Sequence, residues 1–281
     1  MSAYTLVLQA PALSDTDVAA LAELSGAAEV VRRSANVARL ANADPARRDA
    51  VAAYCDAAGI DAAFVPAGKR FSDYGLIVSD MDSTLITIEC IDEIADMQGL
   101  KDQVAAITER SMRGELDFVA SLIERVALLK GLPEEALSRV YAERIELTPG
   151  AAELLAACKQ HGVRFQLVSG GFTFFTEKLK AELGLDYAFA NTLEVEDGRL
   201  TGRVLGDIVD AAAKARLLRE TRDALGLKPE QVIAIGDGAN DLLMLAEAGL
   251  GVAYKAKPVV RKQADVAINH GGLDAVLGLF A

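Results

Sequence analysis

The chain has 281 residues, of which 52% are apolar and 25% charged; that fills one large core or two smaller ones and excludes a disordered polymer. Its formal net charge of −12 excludes a general binder of nucleic acid or of anionic membranes, because both need basic surface. A small anionic ligand is not excluded, since a metal ion or a few basic residues can reverse the field locally.

In chain order, YTLVLQA (4–10) reads as a strand and SDTDVAALAELS (14–25) as a helix capped by Ser14, with Asp15 and Asp17 in its first turn. Short strands are expected at 28–32 and 36–41. A helix should start near Asp44-Pro45, with proline at its first position, and a strand should run over 60–66. The order βαββαβ describes a small ferredoxin-like unit. AGKRFSDYG (67–75) is the linker candidate, which divides the chain into units 1–73 and 74–281. Beyond it, apolar strands are expected at 76–80, 163–169, 187–190, 231–236, 250–254 and 265–268, most of them separated by helices such as 150–161 and 172–183. That alternation predicts an α/β fold with a parallel sheet covered on both faces. Two insertions interrupt it: a helical stretch at 90–147, and a hairpin at 192–204 turning on Asp197-Gly198.

The three cysteines, Cys55, Cys90 and Cys158, are widely spaced, with no CxxC or histidine cluster, and read as buried reduced thiols of a cytoplasmic protein. The start, MSAYTLVLQAP, has no basic region of a signal peptide, and no apolar run reaches the length of a membrane span.

Three strands end in chemistry-bearing residues: Asp80-Met81-Asp82-Ser83-Thr84, then Ser169-Gly170-Gly171, then Gly236-Asp237-Gly238-Ala239-Asn240-Asp241. In open parallel sheets, ligands sit at the carboxyl ends of the strands, so these stretches should converge. Asp80, Asp82, Asp237 and Asp241 around one point call for a hard cation, and Mg²⁺ suits oxygen ligands that leave room for water and phosphate. A carboxylate can attack phosphorus and split hydrolysis into two steps. Asp80 would then be nucleophile and metal ligand, while Asp82 would protonate the leaving oxygen and later take a proton from water. Ser169 and the backbone of Gly170 and Gly171 offer donors for a phosphoryl group, and Lys214 offers balancing charge. Taken singly, each feature has a plain reading: a structural turn for Asp80–Asp82, a cap for Asp237, a solvated helix face for Lys214. Their conjunction in this order at apolar strand ends argues against coincidence.

DMDSTLI, SGG, Lys214 and GDGANDLLML together resemble the haloacid dehalogenase superfamily, in its phosphatase branch. The longer strings DMDSTLITIECIDEIA, MRGELDFVASLIERVALLKGL, LVSGGFTFF and DYAFANTLEVEDGRLTG resemble those members that act on phosphoserine, over nearly all of 74–281. The resemblance implies a Rossmann-like core in which 90–147 is a cap and 192–204 a flap. It implies hydrolysis of phosphoserine to serine, the last step of serine biosynthesis. Mg²⁺ would sit on Asp80, Asp237 and the main-chain carbonyl of Asp82, supported by Asp241. Ser169, Gly170 and Lys214 would hold phosphate and Asn240 would help position it. Glu89 and Arg125 would read the substrate's ammonium and carboxylate, with Met112 and Phe118 lining the pocket; read plainly, Glu89 and Arg125 are surface helix charges. The first unit resembles an ACT domain in element order. Its first loop, APALSD, lacks the glycine common there, so a dimerisation role, and with it a homodimer, or a structural role is implied at least as readily as amino-acid sensing.

Competing functions are a phosphatase for another small phosphomonoester, a non-enzymatic phospho-acceptor, and a dehalogenase. Glu89 with Arg125 speaks against the first, since a sugar phosphate needs neither charge. Asp82 speaks against the second, because it hastens loss of the phosphoryl group. The third needs no metal cluster.

Overall fold

The computed structural model describes residues 3–113 and 115–280, apart from the Met112 side chain. The first unit runs β1 (Tyr4–Gln9), α1 (Asp15–Ser25), β2 (Glu29–Arg32), β3 (Val37–Ala41), α2 (Arg48–Ala58) and β4 (Asp61–Pro66). Ser14 accepts the Asp17 N–H at the start of α1, and Asp44 caps the short turn Pro45–Arg47 that leads into α2. The strands form an antiparallel sheet in the order β2-β3-β1-β4. Leu6 and Leu8 pack with Val18, Leu21 and Val51 under the helices, whereas Val7, Ala63 and Val65 join the main core of the chain. Both faces are therefore covered, which is why β1 reads as a continuous apolar run.

The stretch 67–75 is not a free tether. Phe71 and Tyr74 are buried, their rings 5.9 and 5.0 Å from that of Phe280. Its glycine, serine and charged residues give it a linker's composition, yet two aromatic side chains nail it to the core. Three polar contacts add to the junction. Asp61 accepts the N–H groups of Asn269, His270 and Gly271 at 2.6, 3.0 and 2.9 Å. Arg39 donates to the Leu279 and Phe280 carbonyls at 3.1 and 3.0 Å, and Gln9 to the Ala275 carbonyl at 2.9 Å.

The second unit continues with β5 (Leu76–Ser79), α3 (Cys90–Met97), α4 (Lys101–Met112), α5 (Phe118–Leu128), α6 (Glu135–Arg144), α7 (Ala151–His161), β6 (Arg164–Phe172), α8 (Thr173–Leu183), β7 (Tyr187–Glu196) and β8 (Arg199–Leu205). It closes with α9 (Ala211–Ala224), β9 (Val232–Gly236), α10 (Leu242–Glu247), β10 (Leu250–Tyr254), α11 (Pro258–Arg261), β11 (Val266–Ile268) and α12 (Ala275–Gly278). The sheet order is β11-β10-β9-β5-β6-β7-β8, parallel except where β8 returns along β7. Helices α3 to α6 form the insertion.

Two strand bounds differ from the sequence expectation. β6 continues to Phe172, with its pairing to β7 irregular between Val168 and Phe172, so Ser169-Gly170-Gly171 lie in a bulge rather than past the strand end. β7 runs unbroken from Tyr187 to Glu196; the strand expected at 187–190 and the hairpin's first arm are one element. The hairpin turns on Asp197 (φ 50°) and Gly198 (φ 71°), the left-handed pair of a type I′ turn. Its outer strand meets the insertion, through Gly131 N–H to the Leu200 carbonyl at 2.8 Å and Leu200 N–H to the Leu132 carbonyl at 2.9 Å. Among the described residues, no helix is long and apolar enough to cross a membrane.

Candidate active site

β5 lies between β6 and β9, so its carboxyl end meets the bulge on one side and Gly236-Asp237 on the other. Asp80 follows β5 directly. The chain then turns within Met81–Leu85, with Asp82 extended (φ −62°, ψ 137°) and Ser83 left-handed (φ 54°). The two carboxylates make different contacts. Asp80 Oδ1 accepts the Met81 N–H at 2.7 Å, while Asp82 Oδ1 accepts the Cys90 N–H at 2.9 Å and its Oδ2 the Ser169 hydroxyl at 3.4 Å. Gly171 is needed here: a Cβ at that position would stand 2.7 Å from Asp82 Oδ2. Its N–H donates to Ser169 Oγ at 2.8 Å.

Carboxylate oxygens of Asp80, Asp237 and Asp241 lie within 4.8 Å of one another. Lys214, on α9, is fully buried among them, with Nζ 2.7 Å from Asp80 Oδ2 and 2.8 Å from Asp241 Oδ1. The solvated-face reading of Lys214 is thus overturned: α9 turns that residue inward, and its ammonium is held by two carboxylates. Asp241 Oδ2 also accepts the Gly238 N–H at 3.0 Å, and Thr84 donates to Asp237 Oδ1 at 3.1 Å.

One ammonium does not neutralise this many acids. Burial, then the charge of Asp241, pushes the Asp80 carboxyl well above the usual carboxylate range, against the pull of Lys214. Burial raises Asp82, although the Cys90 N–H favours its charged form. Burial and Asp241 raise Asp237 to about 6. Burial alone would lower Lys214, but Asp241 and Asp80 outweigh it and hold its pKa above the ordinary value. Such a cluster can be charged at neutral pH if a cation sits among its oxygens. An all-oxygen donor set this close fits a divalent cation.

A cavity of about 290 Å³ opens over these residues. Its floor holds Asp80, Asp82, Gly170, Gly171, Asp237 and Asn240; its roof holds Glu89, just before α3, and Phe118 and Arg125 of α5. The Phe118 ring rests on Gly170, where a Cβ would stand 2.8 Å from its Cζ. Glu89 stays accessible to solvent and accepts the Ser83 hydroxyl at 2.7 Å; the protein around it, then the charge of Asp82, pushes its carboxyl up to about 7. Burial lowers Arg125 from its ordinary value, opposed by Asp92, Glu89 and Asp82. Ser169, Lys214 and Asp241 form a buried layer beneath the floor. The Met112 side chain lies outside the described residues. Two wall residues were not singled out in the sequence: Asp92, one helical turn beyond Glu89, and Lys257, just past the end of β10. The i, i+3 spacing could have flagged Asp92. Lys257 sits in YKAKPVVRK, which reads as a solvated basic run.

A parallel sheet whose strand ends gather acids, with a helical insertion for a roof, is the build of the haloacid dehalogenase-like hydrolases, and the chain belongs to that family, whose profile matches residues 77–246. Residues 6–51 match a domain of unknown function (DUF4072). The chain is 58% identical to the phosphoserine phosphatase of Polaromonas sp. over 215 residues, 75% of this chain and 91% of that protein. A crystal structure of a HAD-family hydrolase from Salmonella enterica serovar Typhi matches with a TM-score of 0.92 at 35% identity, over 100% of this chain and 99% of that one. A structure of a phospho-aspartyl intermediate analogue of phosphoserine phosphatase matches with a TM-score of 0.70 at 42% identity, over 76% of this chain and 100% of that one.

Proposed function

We propose that this chain hydrolyses phosphoserine to serine and inorganic phosphate, the last step of serine biosynthesis, through an aspartyl-phosphate on Asp80. The observation that carries the reading is one cavity with Asp80 and Asp82 on its floor and Glu89 and Arg125 on its roof. Phosphoserine presents a phosphate at one end and an ammonium and a carboxylate at the other, and each finds an opposite or reactive group.

Asp80, held by the Met81 N–H and Lys214, attacks phosphorus. Asp82, whose raised pKa favours the protonated form, gives its proton to the serine oxygen as the ester bond breaks. The resulting carboxylate takes a proton from the water that then cleaves the acyl phosphate, which restores both residues. Ser169, the Gly170 N–H, Asn240 and Lys257 serve the phosphoryl oxygens; Lys214 does so while bridging Asp80 and Asp241. Arg125 takes the substrate carboxylate through its planar fork and Glu89 the ammonium, with Phe118 and Met112 beside them. Mg²⁺ is the cation we assign to Asp80, Asp237 and the Asp82 main-chain carbonyl, with Asp241 in support, and when bound it supplies positive charge to the phosphoryl oxygens. The buried free thiols of Cys55, Cys90 and Cys158 support a cytoplasmic setting.

The test is phosphate release from a panel of phosphomonoesters with Mg²⁺, EDTA or Ca²⁺. Phosphoserine should be the preferred substrate, EDTA should abolish turnover, and Mg²⁺ should restore it. Ca²⁺ should restore it poorly, because its looser and larger shell misplaces the nucleophile. Full activity in a metal-free preparation, or a preference for sugar phosphates, would overturn the assignment.

A further inference from the structure

We propose that Asp92 is a positioning residue that holds the Arg125 guanidinium in the orientation that receives the substrate carboxylate. The proposal rests on the reading of Arg125 given above and deepens it. Asp92 lies on α3, three residues beyond Glu89, and lines the same cavity. Its Oδ1 is shut off from solvent and, among the described residues, has no hydrogen-bond partner. A buried carboxylate oxygen without a donor is costly and calls for an explanation. Asp92 and Arg125 line one cavity; burial raises the Asp92 carboxyl from its ordinary value, opposed first by Arg125 and then by Lys101, and burial lowers Arg125, opposed first by Asp92 and then by Glu89 and Asp82.

Arg125 itself is loosely held. Among the described residues its one hydrogen bond runs from Nε to the Ser121 carbonyl one turn back, at 3.3 Å. The remaining donors of the fork are left to the field around them. That field comes from three acids with different duties. Asp82 faces the phosphoryl chemistry, and Glu89 is exposed and engaged by Ser83. Among the described residues, Asp92 combines a wall position with an oxygen that is shut off from solvent and has no donor. Its charge draws one edge of the guanidinium toward α3 and leaves the other edge free for a carboxylate. Removing that charge at constant volume lets the fork wander and weakens substrates that carry a carboxylate.

The experiment measures kcat and KM in Mg²⁺ for phosphoserine and for phosphoethanolamine, which keeps the ammonium and lacks the carboxylate. The proteins are the parent, Asp92→Asn, Arg125→Ala and the double variant. Asp92→Asn should lose about tenfold in kcat/KM on phosphoserine, mainly through KM, within the couplings found between neighbouring charged groups. It should lose less than about twofold on phosphoethanolamine, and that retained turnover also shows an intact fold. In the double variant the Asp92 change should add nothing to Arg125→Ala, because there is no fork left to orient. Equal losses on both substrates, no loss on phosphoserine, or full additivity with Arg125→Ala would overturn the proposal alone. If Arg125→Ala fails to discriminate between the substrates, the reading of Arg125 falls and this proposal falls with it.

Discussion

At the end of β5, Asp80 and Asp82 are two residues apart and make different contacts, with the backbone of Asp82 extended and that of Ser83 left-handed. Asp80 is tied to Lys214, whereas Asp82 turns to the Cys90 N–H and the Ser169 hydroxyl. Asp82→Asn keeps a carbonyl oxygen for the Cys90 N–H, so the turn should survive, and phosphoserine should still bind. Turnover should fall by about 10²–10⁴-fold, the usual worth of a positioned acid–base group; kcat measured beside phosphoserine affinity checks this, and an unchanged kcat would remove Asp82 from the chemistry. These acids were legible in the sequence because each follows an apolar strand end, where an unpaired charge has no structural reason to be. Lys214 was legible as a balancing charge and, through the resemblance, as a phosphate holder, but not in its contacts. AAAKARLL gives no sign which face of α9 is buried, so its bridge between Asp80 and Asp241 needed the fold. Asp92 escaped for the same reason, since helical spacing names the neighbours of Glu89 but not the side that faces a cavity.

Among the elements, the sequence signals that carried furthest were backbone ones. Asp197-Gly198 announced the hairpin, and its type I′ dihedrals follow from those two residue types. What could not be read was the continuity of β7 into that hairpin, or the bulge in β6 that re-aims Ser169-Gly170-Gly171, because a bulge depends on the pairing strand. The hairpin and the insertion meet through β8. Gly202 has φ 82°, and a Cβ there would stand 3.0 Å from Lys130 Cβ and 3.2 Å from the Ala127 carbonyl oxygen. Gly202→Ala should therefore destabilise the chain by about 1–2 kcal/mol from the left-handed backbone alone. It should also loosen the contact of β8 with the segment after α5. Thermal unfolding should show Tm lowered by a few degrees; an unchanged Tm would mean the contact is dispensable.

Across the whole molecule, the first sheet sits against the second unit through Asp61, Arg39 and Gln9, and the connecting stretch is fixed by the aromatic contact of Phe71 and Tyr74 with Phe280. The βαββαβ order was legible because its caps and apolar runs are local. Its docking was not, since the partners are about two hundred residues away in sequence. We propose that the catalytic unit stands on its own. A chain beginning at Phe71 should fold and release phosphate from phosphoserine. Its Tm should be lower, because the Asn269–Gly271 N–H groups and the last carbonyls lose their partners. Calorimetry and activity of the shortened chain check this, and complete insolubility would show that the two sheets depend on one core. We propose that Asp80 is the nucleophile of a phosphoserine phosphatase. The most direct test is phosphate release from phosphoserine, in Mg²⁺, by the parent chain and by Asp80→Asn measured side by side. The parent should turn over and Asp80→Asn should show no measurable release; near-normal release by Asp80→Asn would mean that another residue attacks phosphorus.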